Sequence, residues 1–213
     1  MPRVLIVTQC CKSKCSVELF PSLDVSILDN LSNCFKDKLL YARGVFNDKI
    51  YGTRVVTALS LYVGHEYKAL DKCLIYELYL KGIIDFIVIS AGYGVVHAFE
   101  KIREYEAYMD RKATRTWMKL GLPSIIADYI ANTSPKEVYG FFSKTTGYQE
   151  IYREVVKHVP RNVKTKIYIV YPKGCRGTSN IMKTLGLVIN NLIKEGAVPQ
   201  RVNQCGIVVE RLK

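Results

Sequence analysis

The sequence predicts a single α/β domain, a three-layer sandwich with a mostly parallel central sheet of about five strands. Two observations favour this fold class: short apolar runs rich in Val, Ile, Tyr or Phe, and helical patterns between them. The predicted strands are residues 4–8, 86–90, 138–142, 167–171 and 206–210. Strands and helices in alternation favour right-handed crossovers between parallel strands.

Residues 16–56, after the first predicted strand, are expected to form a less regular insertion. A helix is predicted around residues 27–40, and Pro21 and Gly44 argue against a second long element there. The sequence contains no internal repeat, low-complexity tract or change of composition that would divide it. We therefore expect residues 1–213 to form one domain.

Four segments with apolar side chains at helical spacing predict the remaining helices. They are residues 57–81, 114–131, 148–158 and 179–195. Gly82 and Gly196 end the first and the last of these segments. Gly121 and Pro123 break the second one into two pieces.

The chain carries an excess of basic residues, with 31 Lys and Arg against 19 Asp and Glu and a formal net charge of +12. Such a charge attracts nucleic acid, nucleotides or anionic membranes, although a basic surface can also serve solubility alone. The sequence has neither the pattern of a secretory signal nor an apolar run long enough to span a bilayer. We expect a cytoplasmic protein that binds DNA, RNA or a nucleotide and no membrane.

Seven cysteines occur at positions that form no disulfide framework: Cys10, Cys11, Cys15, Cys34, Cys73, Cys175 and Cys205. In a cytosolic protein most of them would be reduced, hyperthermophiles being the exception. Cys10, Cys11, Cys15 and Cys175 are enough thiolates for a metal, but zinc sites usually use Cys-x2–4-Cys pairs, so we expect neither metal nor other cofactor. A Cys10 or Cys11 nucleophile is an alternative, because Lys12 nearby could lower a thiol pKa.

Polar or Gly-rich loops follow four of the predicted strands. They are residues 9–15, 91–94, 143–148 and 172–179. Open α/β sheets bind ligands outside the carboxyl ends of their strands, so this edge is where we expect a ligand. Loops are often polar without any ligand, which is the alternative interpretation.

The loop after the first strand predicts an anion site. Lys12 and Lys14 bracket Ser13, and backbone N–H groups with ammonium charge suit phosphate or carboxylate. A solvated turn with surface lysines is the alternative, and the spacing is not that of a Walker A motif. The third and fourth loops add the candidate ligand-binding residues Tyr148, Lys173 and Arg176.

The loop Ser90-Ala91-Gly92-Tyr93-Gly94 is the strongest local signal in the sequence. Gly92 and Gly94 permit a sharp turn or a close approach of the backbone to a ligand. Tyr93 could stack on a base or a sugar ring, or else fold back onto the sheet edge. Carboxylates downstream, Glu106 among them, could serve as general acid or base or stabilise a sugar cation, or else form a solvated face. The candidate catalytic residues are Ser90, Tyr93 and Glu106.

A basic and aromatic patch lies within the segment 111–119. Trp117 stands among the four cations Arg111, Lys112, Arg115 and Lys119. This combination suits a phosphate backbone and a stacked base. A core tryptophan with a solvated basic face is the alternative.

Several of these segments resemble YaaA-like proteins and a related domain of unknown function, in which Ser-Ala-Lys-Tyr-Gly-Leu-Leu is followed by Ile-x-Pro-Tyr-Asp. The similar segments are residues 11–14, 41–44, 89–96, 102–106, 147–148 and 174–177. The resemblance implies DNA binding, a link to peroxide stress, and a fold like that of uracil-DNA glycosylases and base-modifying transglycosylases. The site residues that it implies are Cys11, Lys12, Ser13, Lys14, Arg43, Ser90, Tyr93, Gly94, Tyr105 and Arg176.

The chain departs from this family after the Tyr-Gly motif. The relatives carry an acidic Asp-Pro-Asp-like stretch where this chain has His-Ala-Phe at residues 97–99, and Gly92 replaces the usual Lys. A catalytic carboxylate would then come from Glu100 or Glu106.

We expect a nucleic-acid or nucleotide-binding protein with a glycosylase-like α/β fold, and one hypothesis is an N-glycosidase or base transglycosylase-like hydrolase. In that mechanism Tyr93 stacks on the base, and Glu106 polarises a water or stabilises the sugar cation. Phosphate is held by Lys12, Lys14 and Arg176. A DNA- or RNA-binding module without turnover and an enzyme for free nucleosides or nucleotides are the alternatives.

Overall fold

Strands and helices alternate along the chain in the computed structural model, which describes residues 3–21, 23–143 and 146–213. The strands are β1 (Val4–Gln9), β2 (Ile50–Thr57), β3 (Ile84–Ser90), β4 (Gly94–His97), β5 (Lys101–Tyr105), β6 (Glu137–Phe141), β7 (Lys166–Lys173), β8 (Arg201–Val202) and β9 (Cys205–Arg211). The helices are α1 (Asn33–Val45), α2 (Ala58–Leu61), α3 (His65–Ala69), α4 (Lys72–Leu80), α5 (Arg111–Lys119), α6 (Leu122–Thr133), α7 (Gly147–His158) and α8 (Thr178–Glu195). Short 3₁₀ helices occur at Ile27–Asn30 and Asn47–Lys49.

A mixed sheet of seven strands, in the order β4-β3-β1-β6-β7-β9-β8, lies at the centre of the fold. Strands β3, β1, β6 and β7 are parallel, and β4, β9 and β8 are antiparallel to their neighbours. The prediction of an α/β fold with a mostly parallel core is confirmed. Each of the five predicted strands overlaps one strand of the sheet, but the expected number of about five is too low.

Two short edge strands account for the difference in strand number. The four residues of β4 follow directly on the Tyr-Gly turn, and the two residues of β8 form a hairpin with β9. Neither is long enough to produce the apolar run that identifies a buried strand. Outside this sheet, β2 and β5 form a separate antiparallel ribbon.

The predicted helix at residues 57–81 is wrong in its continuity, because three short helices, α2, α3 and α4, occupy that segment. Tyr62 leaves the helical path and pairs its backbone with Lys14 in an isolated β-bridge. The N–H of Cys15 donates to the Leu61 carbonyl at 2.8 Å, and the N–H of Val63 donates to the Ser13 carbonyl at 3.1 Å. Hydrogen bonds to the loop after β1 therefore replace the helical ones, which no local pattern reveals.

The insertion contains more regular structure than expected. The helix predicted at residues 27–40 is a 3₁₀ helix followed by α1, which continues to Val45. Strand β2 (Ile50–Thr57) also begins within residues 16–56 and covers their last seven positions, although the sequence predicted irregular chain there. The predicted break near Gly121 is confirmed, since α5 and α6 meet at that residue. Helices α7 and α8 match their predictions, and α8 ends at Gly196.

Apolar cores cover both faces of the sheet. Successive side chains of a strand point to opposite faces. In β1, Ile6 packs in one cluster with residues of α3, α4 and α8, whereas Leu5 and Val7 pack in the other with residues of α1, α6 and α7. Within the residues that the structure describes, none of the helices is long and apolar enough to cross a membrane.

Trp117 joins α5 to the turn that follows β3. Its indole is fully buried and stacks on Phe46, with 4.4 Å between the ring centroids. The indole N–H donates to the carbonyl oxygen of Ala91 at 2.9 Å. Gly94 has a φ of +73°, and a Cβ at this position would lie 2.7 Å from the indole ring. This glycine is therefore required both by backbone conformation and by packing.

We predict that Gly94→Ala lowers the free energy of unfolding by about 3 kcal/mol, because a positive φ and a clash with Trp117 act together. Gly196→Ala is the matched control, since that residue has a φ of +71° and open space around it. We expect this control to cost about 1 kcal/mol, the conformational contribution alone. Urea unfolding of both variants measures the difference, and equal losses would contradict the packing role of Gly94.

Candidate functional site

The polar loops meet at one edge of the sheet because β1 pairs with strands on both of its sides. The last residue of β1, Gln9, is in register with Ile89 of β3, and the N–H of Cys10 donates to the Ile89 carbonyl at 2.9 Å. Thr8 is in register with Phe141 of β6. The loops after β1, β3 and β6 therefore start side by side, as the parallel arrangement predicted.

A buried cluster of hydroxyl and thiol groups lies beneath these loops. The sulfur of Cys10 lies 3.0 Å from the Tyr148 hydroxyl. Ser90 donates to the Tyr105 hydroxyl, which lies 2.9 Å from the Tyr62 hydroxyl. Burial raises the pKa of each of the three tyrosines well above its ordinary value. The cluster consequently contains neutral hydrogen-bonding groups rather than phenolates.

The first loop covers this cluster with cationic side chains. The ammonium of Lys14 lies 4.2 Å above the centre of the Tyr105 ring, a cation–π contact. Burial lowers the pKa of Lys14. Lys12 and Ser13 are exposed. Among the described residues no carboxylate forms an ion pair with Lys14, although the charges of Glu104 and Glu106 act on it from further away, and its ammonium contacts the Tyr105 ring and the Lys12 carbonyl.

Cys11 has no features of an activated nucleophile. Burial raises the pKa of its thiol to about 11. The alternative that a basic neighbour activates this thiol does not hold for Cys11, because removal from water outweighs the attraction of Lys14. The thiol donates to the Ser13 carbonyl and accepts from the Gly64 N–H, so it fastens the loop.

Tyr93 is folded against the sheet edge, and only 8% of its surface is exposed. Its ring packs edge-on to Tyr105 with 5.3 Å between centroids, and the Arg43 guanidinium lies 5.7 Å from its centre. Its hydroxyl accepts from the Arg103 N–H at 3.1 Å. A Cβ on Gly92 would lie 2.4 Å from the Tyr105 ring. The small residues of this loop therefore accommodate aromatic packing within the protein.

The half-buried Arg43 forms an ion pair at 2.8 Å with the buried Glu100 behind the same turn. Arg43 also donates to the carbonyls of Tyr93 and Val95, and Glu100 accepts from the N–H groups of Ile27 and His97. These contacts attach the insertion to the turn. Both charges are occupied by the protein itself, which gives them a positioning role rather than access to a ligand.

Glu106 and the α5 cations lie on the outer surface. The hydroxyl of Tyr108, a half-exposed side chain, donates to Glu106 at 3.3 Å, and the Lys12 ammonium lies 5.7 Å from the Tyr108 ring centre. Asp110 caps α5 two residues later. The cations Arg111, Lys112, Arg115 and Lys119 are exposed, whereas Trp117 belongs to the core. The sequence analysis did not select Tyr108, because its position between Lys12 and α5 becomes visible only once the fold is known.

Arg176 lies at a separate cavity beside α8, and Lys173 is not among the described residues that line it. Lys173 ends β7, and Arg176 lines a space of about 520 Å³. Cys175 forms a disulfide with Cys205, so it is not available for the four-thiolate set considered above. No described contact joins Arg176 to Lys12 or Lys14. Lys144 and Thr145 of the third loop lie outside the described residues.

Glu66, on α3, is a buried carboxyl that the sequence interpretation missed. It is fully buried and hydrogen-bonds to the Thr8 hydroxyl at the end of β1. Its second oxygen has no hydrogen-bond partner within the described structure. Burial raises the pKa of this carboxyl to about 8, so it is protonated at neutral pH.

A second buried polar group occupies the opposite edge of the sheet. The imidazole Nε2 of His97 lies 2.7 Å from Asp85, which also accepts from the Tyr129 hydroxyl at 2.5 Å. Nδ1 accepts from the Phe99 N–H, so Nε2 carries the proton toward the carboxylate. Burial opposes ionisation of Asp85, but His97 and Tyr129 hold its pKa below the ordinary value. Both ring nitrogens of His97, both carboxylate oxygens of Asp85 and the Tyr129 hydroxyl have hydrogen-bond partners within the protein, which indicates a structural role.

Comparison of the chain with protein-family models and with curated proteins finds no match.

We predict that Glu66→Gln becomes more stable relative to the wild type as pH rises from 4.5 to 8. Over this window the folded state retains the Glu66 proton, whereas the unfolded chain, with an ordinary pKa of 4.5, has lost it. Wild-type stability therefore falls by roughly 1.4 kcal/mol per pH unit from this group, and the glutamine variant lacks that contribution. Urea unfolding across the window, with Glu106→Gln as the exposed control, measures it. Parallel curves for wild type and Glu66→Gln would contradict a protonated Glu66.

Proposed function

We propose that the protein binds single-stranded nucleic acid through a surface formed by Lys12, Tyr108 and the exposed cations of α5, which we call the basic face. The observation that carries the proposal is the contact between Lys12 and the Tyr108 ring. It joins the lysine loop after β1 to the segment that leads into α5. Lys12 and the α5 cation Lys112 are a hundred residues apart in sequence, and both lie near this exposed ring, because Tyr108 and Lys112 line one cavity.

The chemistry of the basic face suits a strand with accessible bases. Cations neutralise phosphates and release their counterions, which gives affinity without sequence preference. An exposed tyrosine stacks on any base, and such a contact is worth about 1–3 kcal/mol. A duplex keeps its bases stacked inside, so Tyr108 would contribute little there. A net charge of +12 supports the same partner.

Tyr108 takes the stacking role in this proposal in place of Tyr93. A ring that stacks on a base must have at least one face open to solvent. The Tyr93 ring is buried and contacts Tyr105 and the Arg43 guanidinium, so it has no such face. Lys14 stays part of the site as the cation at its inner margin, beside the buried hydroxyl cluster. A cytoplasmic location and a glycosylase-like three-layer arrangement belong to the same proposal.

Cleavage of an N-glycosidic bond is the second candidate function, and one contact favours it. Glu106 accepts from the Tyr108 hydroxyl, so a carboxylate lies next to the proposed base platform. That position suits a group that polarises a water or stabilises a sugar cation. The carboxylate is exposed, however, and water weakens both effects. Binding without turnover is therefore the function that we favour.

We predict that Tyr108→Ala weakens binding of single-stranded DNA and RNA about tenfold, because one stacking contact is lost. Tyr108→Phe keeps the ring and should bind as the wild type does. Fluorescence anisotropy with labelled oligonucleotides measures both variants. Unchanged affinity of Tyr108→Ala would remove this residue from the interface.

The cations of α5 give a separate prediction. Lys112→Gln with Arg115→Gln should reduce the slope of log affinity against log salt by about 1.4, that is, about 0.7 for each lost phosphate contact on a single strand. Arg161→Gln with Lys164→Gln makes the same change in net charge at exposed positions before β7, at the opposite edge of the sheet. This control should leave the slope unchanged. Equal effects of the two pairs would indicate attraction by net charge alone.

Catalysis is tested on the same oligonucleotides. Prolonged incubation followed by chromatography detects released bases, and we expect none. Base release that disappears in Glu106→Gln would overturn the binding-only proposal and establish the glycosidase.

A further inference from the structure

The Cys175–Cys205 disulfide lies in the wall of a cavity that the nucleic-acid proposal does not use. It joins the loop after β7 to the first residue of β9. Both cysteines line the cavity of about 520 Å³. Cys175 is half-buried and Cys205 is buried, so the outer sulfur is the one that a reagent in the cavity meets first.

The cavity is cationic and polar. Arg176 and Lys183 both line it and are exposed, and none of its described lining residues is acidic. Asn180, Asn203 and Gln204 add amide groups that can donate to carboxylate oxygens. In the described structure neither Arg176 nor Lys183 is paired with a carboxylate. The space therefore favours a small molecule with carboxylates.

Thr184 supplies a group that suits a leaving thiolate. Its hydroxyl lies 3.4 Å from the Cys205 sulfur on the buried side of the disulfide. A disulfide sulfur has no hydrogen to donate, so the threonine hydroxyl is the donor in this contact. The same hydrogen bond strengthens when Cys205 becomes a thiolate, because charged acceptors form stronger hydrogen bonds than neutral ones.

We propose that this disulfide is a site of thiol–disulfide exchange with small thiols that carry carboxylates. The thiolate of the incoming molecule attacks the Cys175 sulfur, a new S–S bond forms there, and the Cys175–Cys205 bond breaks with its electron pair moving to Cys205. Attack by a second molecule of the thiol on the mixed disulfide releases the symmetrical disulfide of that compound and leaves both cysteines as thiols. Two thiol molecules thus reduce one protein disulfide, with two electrons transferred.

The exchange alters the attachment of the loop that carries Arg176. With the bond open, the loop after β7 is no longer covalently joined to β9. The mixed disulfide also brings carboxylates next to Arg176 and Lys183. The proposal does not rest on nucleic-acid binding, and its test needs no nucleic acid.

The test compares reduced glutathione, a thiol with carboxylates, with cysteamine, a cationic thiol, on the air-oxidised full chain. Free thiols are trapped with N-ethylmaleimide, and peptide mass spectrometry follows the peptides that contain Cys175 and Cys205. After correction for thiolate fraction and nucleophilicity, we expect glutathione to open the disulfide about tenfold faster. The mixed disulfide should be found on Cys175 rather than Cys205.

Charge variants identify the origin of that preference. Arg176→Gln with Lys183→Gln should make the two corrected rates similar, whereas Arg161→Gln with Lys164→Gln, at equal net charge, should preserve the preference. Raised salt should slow glutathione and not cysteamine on the wild-type protein, which checks the same point without any substitution. Thr184→Val should slow both thiols by the same factor. Equal corrected rates on the wild type, or modification of Cys175 and Cys205 by N-ethylmaleimide before any thiol is added, would overturn the proposal.

Discussion

The backbone hydrogen bonds of β1, to β3 on one side and to β6 on the other, determine where the candidate site lies. Because all three strands are parallel, their carboxyl ends meet at one edge, and residues that are far apart in sequence become neighbours there. The loop after β1 then forms a β-bridge with Tyr62 and covers the hydroxyl cluster. A change in β1 register would move Thr8 away from Glu66 and Cys10 away from Tyr148.

The site is divided into a neutral interior and a charged exterior, and the cost of burying charge explains the division. Inside, tyrosine hydroxyls and a protonated carboxyl remain uncharged because desolvation raises their pKa values. The buried carboxylates Glu100 and Asp85 both have partners: Glu100 pairs with Arg43, and Asp85 accepts from His97 and Tyr129. The cations of the basic face lie outside, where water solvates them and a polyanion can reach them.

The basic face and the cavity beside α8 expose different kinds of polar group to solvent. The basic face combines a half-exposed tyrosine with exposed cationic side chains, which suits an extended partner of variable sequence. The cavity beside α8 has a volume of about 520 Å³, contains Arg176 and Lys183 in its wall, and is bounded on one side by a disulfide. These features suit a small anionic molecule. Both use the same edge of the sheet, the end at which β1 and β7 pass into polar loops.

The sequence by itself determined the α/β class, the five longest strands of the central sheet and the polar loops after four of them, because apolar periodicity and glycine positions are local properties. It also identified the basic segment 111–119. Only the tertiary structure decided that Tyr93 is buried, that Arg43 pairs with Glu100 and that Tyr108 lies beside Lys12. Each of these contacts joins residues at least ten positions apart, so no local pattern could distinguish a tyrosine that stacks on a ligand from one that packs against its own protein.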